Sequence, residues 1–237
     1  MSTLTQVCWP ASSGCSSTAS SGSPTPGALF DVEHPASEQV VGQATDGTVI
    51  DVERATAAAR RAFDTTDWSR DLEFRYHCLT QLHEALTEEQ ERLRRIVITE
   101  VGCPVSVSGS QIESPIAEVK HWAEHGRNFD YLVDTGIHET QLGPARRKIQ
   151  FDPVGVVGAI TPWNVPFYLN IAETVPALMA GNTVVLKPAQ LTPPSSVPNS
   201  GASSPRRPTS PPRGCSTSSP PTPTRWARRC QPIRGWT

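Results

Sequence analysis

Three polar residues in one stretch of the chain have the types and spacing to do chemistry: Asn164, Lys187 and Gln190. Asn164 follows Ile160, Thr161, Pro162 and Trp163, and Pro162 and Pro166 stiffen the backbone on either side of it. A carboxamide held there can donate its NH₂ to an oxygen that gains negative charge during a reaction. It can equally bond the backbone of its own turn. Lys187 can pair with a phosphate or bond a ribose hydroxyl, or be a solvated lysine. Gln190 can bond a ribose hydroxyl through either end of its amide, or be an ordinary surface residue. His121, Glu124 and His125 form a competing set, spelling HxxEH, the inverted zinc-peptidase pattern. Its two histidines face one way on a helix, but a third ligand should come from a later acidic residue, and nothing after Glu173 is acidic. The alternative is an exposed, charged helix face, so no metal is expected.

These residues depend on the elements that carry them. Val154–Ile160 is a continuous apolar run between Pro153 and Pro162, the pattern of a strand buried on both faces of a parallel sheet. A helix over 166–180 places Phe167, Ile171, Val175 and Leu178 on one side, and Gly181 stands where a C-terminal cap belongs. Thr183–Leu186 is a second short buried strand ending at Lys187-Pro188. Strand, helix and strand make a βαβ unit, and ligands bind beyond the C-terminal ends of such strands, where 160–164 and 187–190 fall. Gly155 and Gly158 lie inside the first strand, and neither GxGxxG nor GxxxxGK[ST] occurs. A dinucleotide, if bound, is held without the usual glycine loop.

Upstream the periodicity is helical. Asp51 is expected to cap a helix over 52–64, with Val52, Ala55, Ala59 and Phe63 at helical spacing. A second helix follows Trp68 and Ser69, with Leu72, Leu79, Leu82 and Leu86 on one face. Thr87 and Gln90 read as a capping box opening a third helix that ends at Gly102. A fourth is expected over 115–133, with Pro115 in its first turn and Val119, Trp122 and Phe129 on its apolar side.

Composition divides the 237 residues into three zones. Residues 1–28 are dominated by Ser, Thr, Gly and Pro and are expected to be disordered. Residues 29–193 read as a folded α/β segment. Residues 194–237 hold seven Arg, ten Pro and no Lys, Asp or Glu, and are also expected to be disordered. The whole chain has a net charge of −2, so the first 193 residues carry nine negative charges against the tail's seven positive ones. The tail lacks the aromatic interleaving of a specific nucleic-acid binder. No apolar run approaches the roughly 18–20 residues that span a bilayer. The N-terminus lacks the charged start and apolar stretch of a secretory signal. The six cysteines, at 8, 15, 78, 103, 215 and 230, form no CxxC pair and read as reduced thiols of a cytoplasmic protein.

The segment FDPVGVVGAITPWNVPFYLNIAETVPALMAGNTVVLKPAQLTP (151–193) resembles the aldehyde dehydrogenase superfamily in the order of its elements and in the spacing of PWN to GNTVVLKPA. Phe30–Pro35 resembles the family's early strand segment and 51–133 its first helices. The resemblance implies an incomplete Rossmann-like cofactor domain and an oxidation of aldehyde to acid with NAD or NADP. In that chemistry a cysteine thiolate attacks the aldehyde and a glutamate activates the water that releases the acid. Carried over residue by residue, Asn164 is the oxyanion donor. Ile160, Thr161, Pro162 and Trp163 line the cofactor cleft, and Lys187 and Gln190 sit at the adenosine ribose. The family often has Glu where Gln190 stands, and a neutral amide repels a 2′-phosphate less than a carboxylate does. Glu173 replaces a Lys often found in the helix after PWN. No FTGS-type, ELGG or GQxC-like segment occurs among these residues, so the chain is expected to be inactive by itself. The family's oligomerisation elements are expected to be largely missing too. The family likeness stops near Val197, where Pro, Arg, Ser and Thr rise, the bias expected of a shifted reading frame in a GC-rich gene.

Overall fold

The structure, a computed structural model, describes residues 29–193. The expectations for 1–28 and 194–237 lie outside the described residues.

The chain enters as an antiparallel hairpin of β1 (Leu29–Glu33) and β2 (Val40–Thr45). The ring Nδ1 of His34 shapes its turn by accepting from the N–H groups of Ala36 and Ser37 at 3.1 and 3.2 Å. Helix α1 spans Val49–Thr65 and starts three residues before its expected position. Its N-cap is Thr48, not Asp51. Asp51 occupies the third helical position and accepts from both the N–H and the hydroxyl of Thr48 at 2.8 Å, closing the box backwards.

Helix α2 (Leu72–Glu88) is capped by Asp71, which accepts from the N–H of Phe74. The box expected at Thr87 and Gln90 does not form. Thr87 is still inside α2, its hydroxyl donating to the carbonyl of His83, and α3 (Gln90–Val101) follows from Glu89 without a side-chain cap. Gly102 closes α3 with φ +70°, a left-handed conformation that glycine adopts without strain.

Helix α4 covers Ser108–Arg127, entered through a short 3₁₀ turn at Val105–Val107. Two expectations are corrected here. Pro115 lies in the interior of α4, not in its first turn, and the helix stops at Arg127 instead of continuing to 133. Beyond Asn128 the backbone is drawn into strand pairing. β3 (Leu132–Thr140) and β4 (Gly143–Gln150) form an antiparallel hairpin, Leu132 opposite Gln150, across a turn at 141–142. This hairpin is absent from the pattern reading, because its residues are exposed on both faces and leave no clean alternation.

The βαβ unit forms in the expected order, but its first strand starts at Val156, not Val154, and is not buried on both faces: Gly158 and Ile160, on the side of the strand that Val156 shares with Thr183, are exposed. β5 is Val156–Ile160, α5 is Pro166–Met179 and β6 is Thr183–Lys187, with β5 and β6 parallel from Val156 opposite Thr183 to Ile160 opposite Lys187. Gly181, at φ +93°, ends α5 in a Schellman-like close, its N–H donating to the carbonyl of Leu178 and the N–H of Asn182 to that of Ala177. Successive side chains of β6 point to opposite sides. Thr183 faces α1, its hydroxyl bonding the carbonyl of Ala59, while Val184 and Leu186 pack with Ala177 and Leu178 of α5. The strand pair thus has a helix on each face.

The main core lies among α2, α3, α4 and α5, built from Leu79, Leu86, Leu93, Val97, Ile112, Val119, Phe167 and Val175. Arg75 is buried at its edge and spans two elements, donating to the carbonyls of Met179 and Trp68 at 2.9 and 2.8 Å. Loss of hydration pulls its guanidinium below its usual pKa. Among the described residues, no helix is long and apolar enough to cross a membrane.

Candidate functional site

The site forms where β5 and β6 end together. Ile160 and Lys187 are the last pair of the ladder, and the N–H of Thr161 extends it by donating to the carbonyl of Lys187 at 3.2 Å. The loop 162–165 then leaves the sheet. Pro162 and Pro166 have no N–H to donate, and Pro166 starts α5 with its φ already suited to a helix. The strand-end loops carrying Asn164 and Lys187 therefore leave one edge of one sheet.

Exposure divides the site residues. Ile160 is 77% and Trp163 56% exposed, a large apolar surface left open at a strand end. Pro162, Asn164 and Gln190 are also exposed. Thr161 is buried, at 4% exposure. Lys187 is half-buried, with its ammonium donating to the carbonyl of Pro188 at 3.3 Å, and it forms no ion pair among the described residues. The register brings Ile160, Thr161 and Lys187 together. Trp163 and Asn164 follow on the loop, and Gln190 lies in the turn after Pro188, closed by the N–H of Thr192 donating to the carbonyl of Ala189.

One residue of the site was missed in the sequence. Asn170, on the inner side of α5, is 5% exposed and its carboxamide oxygen accepts from the Thr161 hydroxyl at 2.5 Å. The available signal was an amide on the apolar stripe of α5, one residue before Ile171.

The HxxEH residues stand elsewhere, on the last turns of α4. The rings of His121 and His125 are stacked, with centroids 6.1 Å apart. They border an open hollow of about 670 Å³ with Glu124, Asn128, Phe129 and Phe151. Among the described residues, no three His, Cys, Asp or Glu side chains are grouped to hold a metal ion, so the zinc-peptidase alternative lacks its third ligand there. Cys78 and Cys103 are buried and form no disulfide among the described residues. Desolvation pushes the Cys103 thiol above its ordinary pKa, the opposite of what a nucleophile needs.

A parallel strand pair flanked by helices, with an amide and an amine at its C-terminal edge, is an α/β arrangement. The sequence matches the Aldehyde dehydrogenase family over residues 23–198, and the chain belongs to that family. It is 35% identical over 167 residues to a 3-succinoylsemialdehyde-pyridine dehydrogenase of a Pseudomonas species, an alignment covering 69% of this chain and 32% of the relative. It is 33% identical over 169 residues to an N-succinylglutamate 5-semialdehyde dehydrogenase of Burkholderia cenocepacia, covering 70% and 33%. Among solved structures, aldehyde dehydrogenase C of Pseudomonas syringae, in complex with NAD+ and octanal, superposes with a TM-score of 0.65 at 34% identity, over 73% of this chain and 34% of that one. Betaine aldehyde dehydrogenase of Staphylococcus aureus with NAD+ gives 0.65 at 29% identity, over 71% and 33%. The chain spans about a third of the length of the curated relatives it matches.

Proposed function

We propose that residues 29–193 are the first part of the NAD(P)-binding domain of an aldehyde dehydrogenase, carrying its oxyanion donor and one wall of its cofactor cleft. The reading is carried by one observation. Asn164 and Lys187 leave the same edge of a parallel β5–β6 pair, beside uncovered Ile160 and Trp163.

The residues present fit a dinucleotide. Ile160 and Trp163 offer exposed apolar surface for a flat ring, and Lys187 is a cation with no carboxylate partner among the described residues. Ile160, Thr161, Pro162 and Trp163 would line the cleft, and Lys187 and Gln190 would bond the adenosine ribose. Gln190 is neutral, so the reading extends to NADP as well as NAD. When bound, the dinucleotide would supply the hydride acceptor. The exposed Asn164 would donate its NH₂ to the substrate oxygen as a thiolate supplied from outside these residues added to the aldehyde carbonyl. That donation strengthens as the oxygen becomes anionic, so it favours the transition state over the ground state.

By itself the 237-residue chain is proposed to be inactive. None of its six cysteines stands in the family's nucleophile context, and no segment supplies the general base. Removing such a unit costs several orders of magnitude in rate. The same reading takes the Pro- and Arg-rich composition after Val197 as a shifted reading frame. In support, the family match ends at 198 while the chain runs on to 237. It also implies a cytoplasmic location.

Titration of the purified chain with NADH, read by energy transfer from tryptophan, tests the cleft. Saturable binding that weakens in Lys187→Met is expected, and no uptake by the wild-type chain overturns the reading. In an NADH absorbance assay with an aldehyde, no turnover is expected, and sustained turnover would refute the inactivity. Sequencing the locus tests the frameshift, which fails if no neighbouring frame encodes family-like sequence.

A further inference from the structure

The loop that carries Asn164 is held at both ends and, among the described residues, makes no hydrogen bond between them. Its start is fixed twice. The main-chain N–H of Thr161 bonds the carbonyl of Lys187, and its hydroxyl bonds the carboxamide oxygen of Asn170. Its far end is fixed as the carbonyl of Val165 accepts the N–H of Leu169 in the first turn of α5. The Thr161–Asn170 bond is therefore a clasp that ties the exit of β5 to the helix on the other side of the loop, nine residues away in sequence.

The clasp lies in an apolar setting. Both side chains are at least nine-tenths buried, with Phe167 and Ile171 of the same helix turn in the core. The second half of the Asn170 amide, its NH₂, is buried with no hydrogen-bond partner among the described residues. An unpaired buried donor costs free energy that leucine of similar volume would avoid. The main chain of Asn170 is engaged separately, its carbonyl accepting from the hydroxyl of Thr174, so the side chain is not needed to hold the helix backbone. Among the described residues, the one bond that uses the carboxamide is the one to the loop.

We propose that Asn170 is a positioning residue for Asn164, acting through the hydroxyl of Thr161. It holds the first residue of the loop against α5, so that Pro162 directs Trp163 and Asn164 outward from a fixed origin. An oxyanion donor gains its effect from being in place before charge develops. The inference rests on the reading of Asn164 given above, and its test does not depend on turnover.

Trp163 lies between the clasp and Asn164, so it reports the loop. The intact chain, labelled with 5-fluorotryptophan, is examined by fluorine NMR, with the Trp163 signal assigned through Trp163→Phe. Asn170→Leu and Thr161→Val are expected to move or split that signal while buried Trp68 keeps its shift. Thr161→Ser, which retains the hydroxyl, is expected to leave Trp163 as in the wild type. NADH binding is expected to weaken several-fold in Asn170→Leu. An unmoved Trp163 signal in both Asn170→Leu and Thr161→Val overturns the proposal. So does a Trp68 signal that moves alongside it, because Asn170 would then merely support the fold. Failure of the wild-type chain to bind NADH would sink the cofactor reading, and the fluorine spectra would still decide the clasp.

Discussion

The indole N–H of Trp68 donates to the main-chain carbonyl of Asn182 at 2.8 Å, joining the segment after α1 to the residue just before β6. The carboxamide oxygen of Asn182 in turn accepts from the N–H of Gly155 at 3.0 Å, and its NH₂ donates to the carbonyl of Ala177. One buried asparagine thus connects the start of β5, the end of α5 and the segment between the first two helices.

Breaking this junction should be costly. Asn182→Leu leaves the N–H of Gly155 without its partner, and Trp68→Phe removes the indole donor to the Asn182 carbonyl. Each should lower stability by about 1–3 kcal/mol, the penalty of a buried polar group left unpaired. Urea denaturation checks this, and an unchanged midpoint in both variants would show the junction to be dispensable.

Helices α4 and α5 meet closely at Gly126. A Cβ added there would lie 2.3 Å from Cγ of Met179, which is itself buried. On an exposed helix Gly→Ala gains about 1 kcal/mol, but overpacking a core costs about 1–3 kcal/mol. Gly126→Ala should therefore be neutral to destabilising, and a clear rise in Tm would mean that the contact yields.

The Cys103 thiol should behave as a core residue. Burial raises its pKa, so at mildly alkaline pH it should react with an alkylating reagent far more slowly than the same thiol in urea. The native state holds its proton more tightly than the unfolded chain does. This contribution to stability is therefore complete below the unfolded thiol pKa and is lost as the pH rises above it. Rapid labelling of Cys103 in the native protein would contradict its buried placement.

Acid should weaken the β3–β4 hairpin. Arg146 grips Asp134 across the strands at 2.7 Å, and the N–H of Gly136 adds a second bond at 2.9 Å. The guanidinium first and the N–H second hold the Asp134 carboxyl below its ordinary pKa. Its support is present above the unfolded carboxyl pKa and is lost as the pH falls through the folded one. Carboxyl carbon NMR should show the Asp134 titration move upward in Arg146→Ala, and no movement would mean that the pair does not form in solution.

The βαβ unit was legible because its signals are local. The apolar run before Ile160, the stripe on α5 and the glycine at 181 each specify an element without reference to distant residues. The Thr87–Gln90 pattern misled because the hydroxyl of Thr87 bonds within its own helix, an outcome the same residues permit. The end of α4 was overrun because Phe129 keeps a helical spacing with Val119 and Trp122, while the N–H of Phe151 donates to the carbonyl of Tyr131 and draws the segment into strand pairing.

The sequence by itself determined the family and the parallel strand pair with Asn164 and Lys187 at its C-terminal end, since each rests on residue types at short, fixed separations. Only the tertiary structure decided which amide holds which loop. Asn164 and Asn170 are indistinguishable as letters six positions apart, yet one is exposed beside an open apolar surface and the other is buried against Thr161. That division is set by the direction in which α5 packs on the sheet, a property of contacts between elements that no local pattern encodes.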